Sequence, residues 1–117
     1  MTANNTATTP LALEIERTGS AIIERCRGRL VAGVSDVLYS GVRALIPDTK
    51  RIVLDLTDLT RVDSMGLGSL VRLYVSARGA GCALELRNLG QQVRQLLGTT
   101  GLLSVFTVVG EQHIRMG

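Results

Sequence analysis

The chain carries one nearly uninterrupted apolar run at its centre, over residues 51–56. A strand that is apolar on both faces is typical of the interior of a parallel sheet, where other structure covers both sides. The run is followed by a short polar segment, residues 57–63, and then by a helical pattern that begins at Ser64. A buried strand that leads through a polar loop into a helix predicts an α/β fold.

Two segments before this run alternate between apolar and polar residues, as strands with one exposed face do. They cover residues 11–16 and 21–27, and Gly28 is expected to mark the end of the second. Because the connection at residues 18–20 is short, the two strands are expected to form an antiparallel hairpin.

Helical spacing begins after this hairpin and then alternates with further strands. The apolar stripe of the first helix is formed by Val34, Val37, Leu38, Gly41, Leu45 and Ile46. Ser35 is expected to cap that helix and Pro47 to end it. Further helices are predicted at residues 64–78 and 90–97, strands at 82–87 and 105–109, and a partial helical turn at 111–116. The order β-β-α-β-α-β-α-β predicts an α/β protein with a single mixed β-sheet. An N-terminal antiparallel hairpin is followed by parallel βα units, with the helices mainly on one face.

Composition narrows the class of protein. A chain of 117 residues fits one domain over residues 11–117, preceded by a Thr/Asn/Ala-rich tail at residues 1–10 that we expect to be disordered. Aromatic residues make up 3% of the chain, so the core must be aliphatic and no stacking platform for single-stranded nucleic acid is expected. No apolar segment is long enough to span a membrane and none resembles a signal peptide, which favours a cytoplasmic protein.

The charged residues and cysteines indicate neither a nucleic-acid surface nor a metal site. The net charge is +3, and the densest basic group, Arg25, Arg27 and Arg29, is interpreted as a solvated strand face, with a basic patch that binds nucleic acid or anionic lipid as the alternative. Cys26 and Cys82 lie far apart and form no CxxC pattern. We therefore expect no disulfide framework, no metal and no cofactor.

Two interpretations of the segment after the central strand fit poorly. A serine hydrolase needs a G-x-S-x-G elbow and a histidine, but Val62 stands at the first glycine and the single histidine, His113, lies near the C-terminus. A dinucleotide-binding loop needs a third small residue after Gly66 and Gly68, where Val71 stands. No catalytic residue is expected, and a nucleotide-binding module remains a third hypothesis.

Ser64 stands where the second helix should begin, and two interpretations of its hydroxyl remain open. It can cap the helix, or it can carry a phosphate, which the unpaired N–H groups and the positive end of the helix dipole would accept. Asp63 suits the same position because of that dipole. Gly66 and Gly68 weaken the first turn, and side-chain-free positions there would let a partner approach closely. This favours a contact surface at the helix start.

Residues 54–68 resemble the signature of STAS domains, the family of anti-sigma factor antagonists, in which a strand leads to Asp-Ser-x-Gly-Leu-Gly. The opening hairpin agrees with this family, as do the sequences Gly-Arg-Leu at 28–30 and Val-Arg-Gln-Leu-Leu at 93–97. The resemblance covers residues 11–109.

The resemblance implies a switch rather than an enzyme. In this family the unmodified antagonist binds an anti-sigma factor that is also an ATP-dependent serine kinase, and so frees the sigma factor. The kinase phosphorylates the serine that matches Ser64, the antagonist is released, and a phosphatase restores it. The residues expected to contact the partner are Arg61, Asp63, Ser64, Met65, Gly66, Leu67 and Gly68.

Two positions depart from the family pattern. Val31 stands where many relatives carry an aspartate after the Gly-x-Leu turn, and Met65 replaces the small or hydroxyl residue that usually follows the serine. Neither departure removes the serine. The alternative hypothesis is a non-switched STAS scaffold subunit of a stress-sensing or lipid-transport complex, in which Ser64 is only a helix cap.

Overall fold

The computed structural model describes residues 11–109. The predicted tail at 1–10, the helical turn at 111–116 and His113 lie outside this range. In chain order the elements are β1 (Leu11–Thr18), β2 (Ala21–Leu30), α1 (Ser35–Leu45), a 3-10 turn (Ile46–Asp48), β3 (Arg51–Val62), α2 (Ser64–Gly79), β4 (Ala83–Arg87), α3 (Gln91–Thr99) and β5 (Thr107–Val109).

The strands of the described region form one mixed sheet in the order β1-β2-β3-β4-β5. The first two strands pair antiparallel, and each later strand pairs parallel with the one before it. Because strands that follow each other in the chain are also neighbours in the sheet, right-handed crossovers place their helices on the same face. The predicted fold class is therefore confirmed.

The core between the sheet and the helices is built almost entirely from aliphatic side chains. Ile52, Leu54 and Leu56 of β3 are completely buried, and so are Leu70 and Leu73 of α2. Leucine, isoleucine and valine thus supply the hydrophobic driving force, as the low aromatic content predicted.

The segment predicted as a polar loop is a strand, which corrects the sequence interpretation. β3 continues through residues 57–62, and β2 runs past Gly28 to Leu30. The two extensions pair with each other, with Leu30 opposite Val62 and register shifts on either side of Gly28. Polar side chains on the exposed side of this extension made it resemble a loop. Gly28 lies inside β2 with φ 111°, a conformation that side-chain-bearing residues rarely adopt.

Several other boundaries differ from those predicted. Ser35 is the first residue of α1, not its cap, and Val34 precedes the helix without a side-chain cap. β4 begins at Ala83, and α3 spans Gln91–Thr99. β5 begins at Thr107, two residues later than predicted. Propensity alone locates helix and strand ends poorly because hydrogen bonding to neighbouring segments decides them.

The sheet face turned away from the helices carries charged side chains of alternating sign. In one row the Arg25 guanidinium lies 3.1 Å from the Glu16 carboxylate and 3.9 Å from that of Asp55, which in turn lies 3.2 Å from Arg87. Burial raises the pKa of Asp55, but hydrogen bonds from Thr57 and the charge of Arg87 outweigh burial and leave that pKa below its ordinary value. Arg25 is thus part of a network of ion pairs.

Within residues 11–109, no helix has the length and hydrophobicity needed to cross a bilayer.

One carboxyl group lies inside the hydrophobic core. Glu24 of β2 is 1% exposed, and it lies on the same strand face as the core residues Ile22 and Cys26. Its Oε1 atom has no hydrogen-bond partner among the described residues, and its Oε2 atom faces Gly41 of α1, 3.9 Å from where a Cβ would stand. Burial raises the pKa of Glu24 from 4.5 to about 7 because the charged form loses its hydration.

We predict that Glu24→Gln removes a pH dependence of stability. The folded-state pKa lies above the unfolded one, so the contribution of this group is fully present below pH 4.5 and is lost as the pH rises through 7. Relative to Glu24→Gln, the wild-type free energy of unfolding should fall by roughly 3 kcal/mol between pH 4.5 and pH 8. Urea unfolding of both proteins across this range measures the difference. Glu14→Gln, an exposed glutamate on β1, is the matched control, and an equally large pH effect there would refute the assignment.

Candidate functional site

The candidate site lies where β2 and β3 end side by side. Leu30 and Val62 are register partners at this edge, and the loop after β2 leads into α1 while Asp63 leads into α2. Ligands and partners of open α/β sheets usually bind at this carboxyl edge, where loops and helix starts converge. The structure places every sequence-predicted site residue within or next to this region.

Asp63, not Ser64, is the cap of α2. Its Oδ1 atom accepts a hydrogen bond from the Gly66 N–H at 2.9 Å, and its Oδ2 atom accepts one from the Ala32 N–H at 2.9 Å. These two backbone donors hold the pKa of Asp63 below its ordinary value. The carboxylate thus joins the loop after β2 to the first turn of α2, and the Ser64 hydroxyl is not needed as a cap.

Gly66 is required by the packing of this chain on itself. A Cβ at position 66 would overlap the Leu30 carbonyl oxygen and would lie 2.8 Å from the Leu30 carbonyl carbon. The Asp63 N–H donates to the same Leu30 oxygen at 3.3 Å. The expectation that the missing side chain at Gly66 gives room to a partner is corrected, because Leu30 fills that room. The Gly66 N–H is also taken by Asp63, which weighs against a nucleotide phosphate at this loop.

Two further predicted contact residues differ sharply in their surroundings. Leu67 is 8% exposed and belongs to the hydrophobic core, so its role is to anchor α2 to the sheet. Gly68 has no heavy atom within 4 Å of the place where a Cβ would stand. Of the two glycines in the first turns of α2, Gly68 alone faces open space.

Ser64 is the first residue of α2 and its side chain is exposed. Among residues 11–109 its hydroxyl has no hydrogen-bond partner, so nothing in the described part of the chain shields it or engages it. The hydroxyl stands at the positive end of a 16-residue helix, where added negative charge is favoured. Such a group is available to a modifying enzyme.

Exposed apolar side chains lie near the starts of both helices. Met65 is 59% exposed, and Val37 in the first turn of α1 is 51% exposed. The Ser69 hydroxyl lies 3.4 Å from the Ser35 carbonyl oxygen and 3.3 Å from that of Met65, so it links the starts of the two helices. Val37 was expected in the core because it shares the helical period of buried residues. Its actual exposure adds an apolar residue that the sequence did not identify.

Arg61 is exposed near the end of β3, and its register partner on β2 is Arg29. Val31, which departs from the family pattern, is half-buried in the loop after β2. The site therefore combines an accessible hydroxyl, exposed apolar side chains and a basic rim, which is the usual anatomy of a protein-binding surface.

Comparisons with known proteins agree with this architecture. The family model of the STAS domain matches residues 12–114. An anti-sigma factor antagonist from Mycobacterium paratuberculosis has a similar structure, with TM-score 0.73, 19% identity and coverage of 91% of each chain. The Bacillus cell fate determinant SpoIIAA in its phosphorylated form is similar with TM-score 0.66 and 18% identity, over 88% of this chain and 96% of that one. A sulfate transporter family protein from Wolinella succinogenes gives TM-score 0.69 and 20% identity over 82% of each chain. At these identities the structural likeness shows the fold alone.

The two glycines in the first turns of α2, Gly66 and Gly68, provide a prediction in which one variant is the control for the other. Gly66→Ala should destabilise the protein by about 3 kcal/mol, because rigid backbone of Leu30 occupies the space for the new methyl group. Gly68→Ala should stabilise it by about 1 kcal/mol, because alanine favours a helix and meets no neighbour. Chemical denaturation of the two variants measures both effects, and equal effects of the same sign would contradict the packing described.

Proposed function

The chain belongs to the STAS domain family, and from this membership we propose that it is an anti-sigma factor antagonist switched by phosphorylation of Ser64. The unmodified protein binds an anti-sigma factor that has serine kinase activity, and so regulates sigma-dependent transcription in the cytoplasm. Phosphorylation of Ser64 by that kinase ends the interaction, and a phosphatase restores it. The antagonist itself catalyses no reaction. The observation that carries the proposal is the exposed, unengaged Ser64 hydroxyl at the start of α2.

The geometry explains how a phosphate can be added without unfolding the site. Asp63 already holds the Gly66 and Ala32 N–H groups, so the helix start does not depend on the Ser64 side chain. A phosphate there adds about two negative charges at the positive end of the helix, where the dipole favours them. The fold therefore tolerates both states of Ser64.

The same phosphate would disrupt a bound partner. The exposed apolar side chain next to Ser64 is that of Met65, and a partner that covers it would also cover the neighbouring hydroxyl. Enclosing a doubly charged group without a counter-charge costs several kcal/mol through desolvation and repulsion. We infer that release is local and needs no rearrangement of the sheet.

The proposed contact surface is narrower than the sequence suggested. Arg61, Ser64 and Met65 supply its exposed part, together with the half-buried Gly68, and the exposed Val37 of α1 is added to it. The remaining three predicted residues act from beneath or beside it. These residues are Asp63, which caps α2, and Gly66 and Leu67, which pack the helix against the sheet.

A second candidate is a non-switched STAS scaffold within a larger complex. The likeness to a sulfate transporter family protein favours it, because this fold is not confined to anti-sigma factor antagonists. In that function Ser64 carries no signal, and partner binding would not respond to a charge at position 64.

We predict that incubation with MgATP and the cognate anti-sigma factor kinase adds one phosphate to the protein. Each anti-sigma factor kinase encoded in the same genome is tested in turn, and intact-mass spectrometry counts the phosphates. Ser64→Ala should abolish the mass gain, whereas Ser40→Ala, which removes an exposed serine of α1, should not. A phosphate that persists in Ser64→Ala would disprove the assigned position.

A charge at position 64 should weaken the interaction without loss of stability. We expect Ser64→Asp to lower the affinity for the kinase by about 100-fold, as a buried unpaired charge at an interface does. Asparagine is uncharged and similar in size to aspartate. The variant Ser64→Asn should therefore bind at least ten times more tightly than Ser64→Asp. Calorimetric titration gives the affinities and thermal unfolding checks the fold. Equal affinities of the two variants would favour the scaffold function instead.

A further inference from the structure

At one place on the exposed face of the sheet, two arginines lie outside the network of ion pairs. Four arginines of this face each lie within 4.0 Å of a carboxylate, namely Arg25, Arg27, Arg51 and Arg87. Arg29 and Arg61 are exposed, and neither has a carboxylate within that distance among residues 11–109. The two unpaired guanidinium groups belong to the same end of the sheet as Ser64.

Arg29 and Arg61 are direct register partners on the parallel strands β2 and β3. Each precedes a core residue, Leu30 or Val62, so both side chains point away from the helices. Like charges directly opposite each other on neighbouring strands repel and destabilise the sheet. The nearby Asp63 carboxylate accepts hydrogen bonds from two backbone N–H groups, and no ion pair joins it to either arginine within the described part of the chain. An external anion would relieve this repulsion.

We propose that Arg29 and Arg61 together bind an acidic cluster on the surface of the partner protein. This proposal rests on the proposed function, since the partner is the kinase that acts on Ser64. A planar guanidinium matches a carboxylate with two parallel hydrogen bonds, so a pair of arginines is suited to one or two acidic side chains. The contact would lie on one side of Ser64, with the exposed Met65 of α2 as the apolar contact beside it.

The charge pattern favours a protein over a membrane or a nucleic acid. Polyanionic surfaces are bound by larger groups of lysine and arginine that act together. Here the neighbouring arginines on the same face, such as Arg27, are already neutralised by Glu14 and Asp58. A spot of two unpaired charges surrounded by ion pairs is complementary to a few carboxylates, not to an extended anionic surface.

The test uses tetraglutamate as a defined acidic probe, with the Nε–H resonances of all arginines followed by NMR at low ionic strength. We expect saturable shifts at Arg29 and Arg61, and weaker or no shifts at the ion-paired Arg27. The shifts should disappear in the double variant Arg29→Gln/Arg61→Gln. Arg27→Gln removes one charge from the same face and is the matched control, which should leave the shifts in place. Shifts of equal size at all arginines, or none at the pair, would overturn the proposal.

Three other probes decide the chemistry of the occupant. Inorganic phosphate, vesicles containing phosphatidylserine, and duplex DNA are titrated under the same conditions. Pair-dependent binding of any of these in preference to tetraglutamate would overturn the assignment to an acidic protein surface. Weaker binding of all three supports it.

A kinetic measurement links the pair to the partner. With the kinase that phosphorylates Ser64, Arg29→Gln/Arg61→Gln should raise KM about 10-fold and leave kcat unchanged, because the arginines contribute to docking and not to phosphoryl transfer. Arg27→Gln should change neither constant. An unchanged KM in the double variant would refute the docking role. Absence of phosphorylation by every kinase would refute the proposed function instead, while the tetraglutamate titration would still report on the pair.

Discussion

The site depends on one carboxylate. Asp63 accepts hydrogen bonds from Ala32 in the loop after β2 and from Gly66 in the first turn of α2, and its own N–H donates to the Leu30 carbonyl. These contacts connect two segments that are far apart in the chain and set the height of α2 above the sheet. Because Asp63 caps the helix, the side chain of the neighbouring Ser64 is not needed for this purpose. We therefore propose that Ser64 can be modified while the fold remains intact.

Hydrogen-bond donors, more than burial alone, decide the state of the carboxyl groups in this fold. Asp55 and Glu24 are both almost inaccessible to solvent, yet their pKa values move in opposite directions. Asp55 has Thr57 and Arg87 as donors, whereas an oxygen of Glu24 has no partner among the described residues. A charged group is therefore unfavourable on the helix-facing side of the sheet, whereas the opposite side carries a network of ion pairs.

The sequence predicted the order of elements and the mixed sheet because nearly every segment shows the apolar spacing of the helix or strand that it forms. It failed at the second half of β3, where exposed polar side chains outnumber the buried Leu59 and Val62. It also left open whether Ser64 caps α2, although Asp63 is the cap, and it interpreted the missing side chain at Gly66 as room for a partner. Residue spacing could resolve neither point, since both depend on a contact with Leu30 or Ala32 more than thirty residues away. The pairing of Arg29 with Arg61 likewise becomes visible only through the register of two strands.

We propose above all that the Ser64 end of the molecule can carry a phosphate while the fold stays the same. Protein carrying phosphoserine at position 64, compared with the unmodified protein by two-dimensional amide NMR, tests this claim most directly. We predict chemical-shift changes confined to the start of α2 and to the loop that contains Ala32. Changes that spread across β1, β4 or α3 would contradict it.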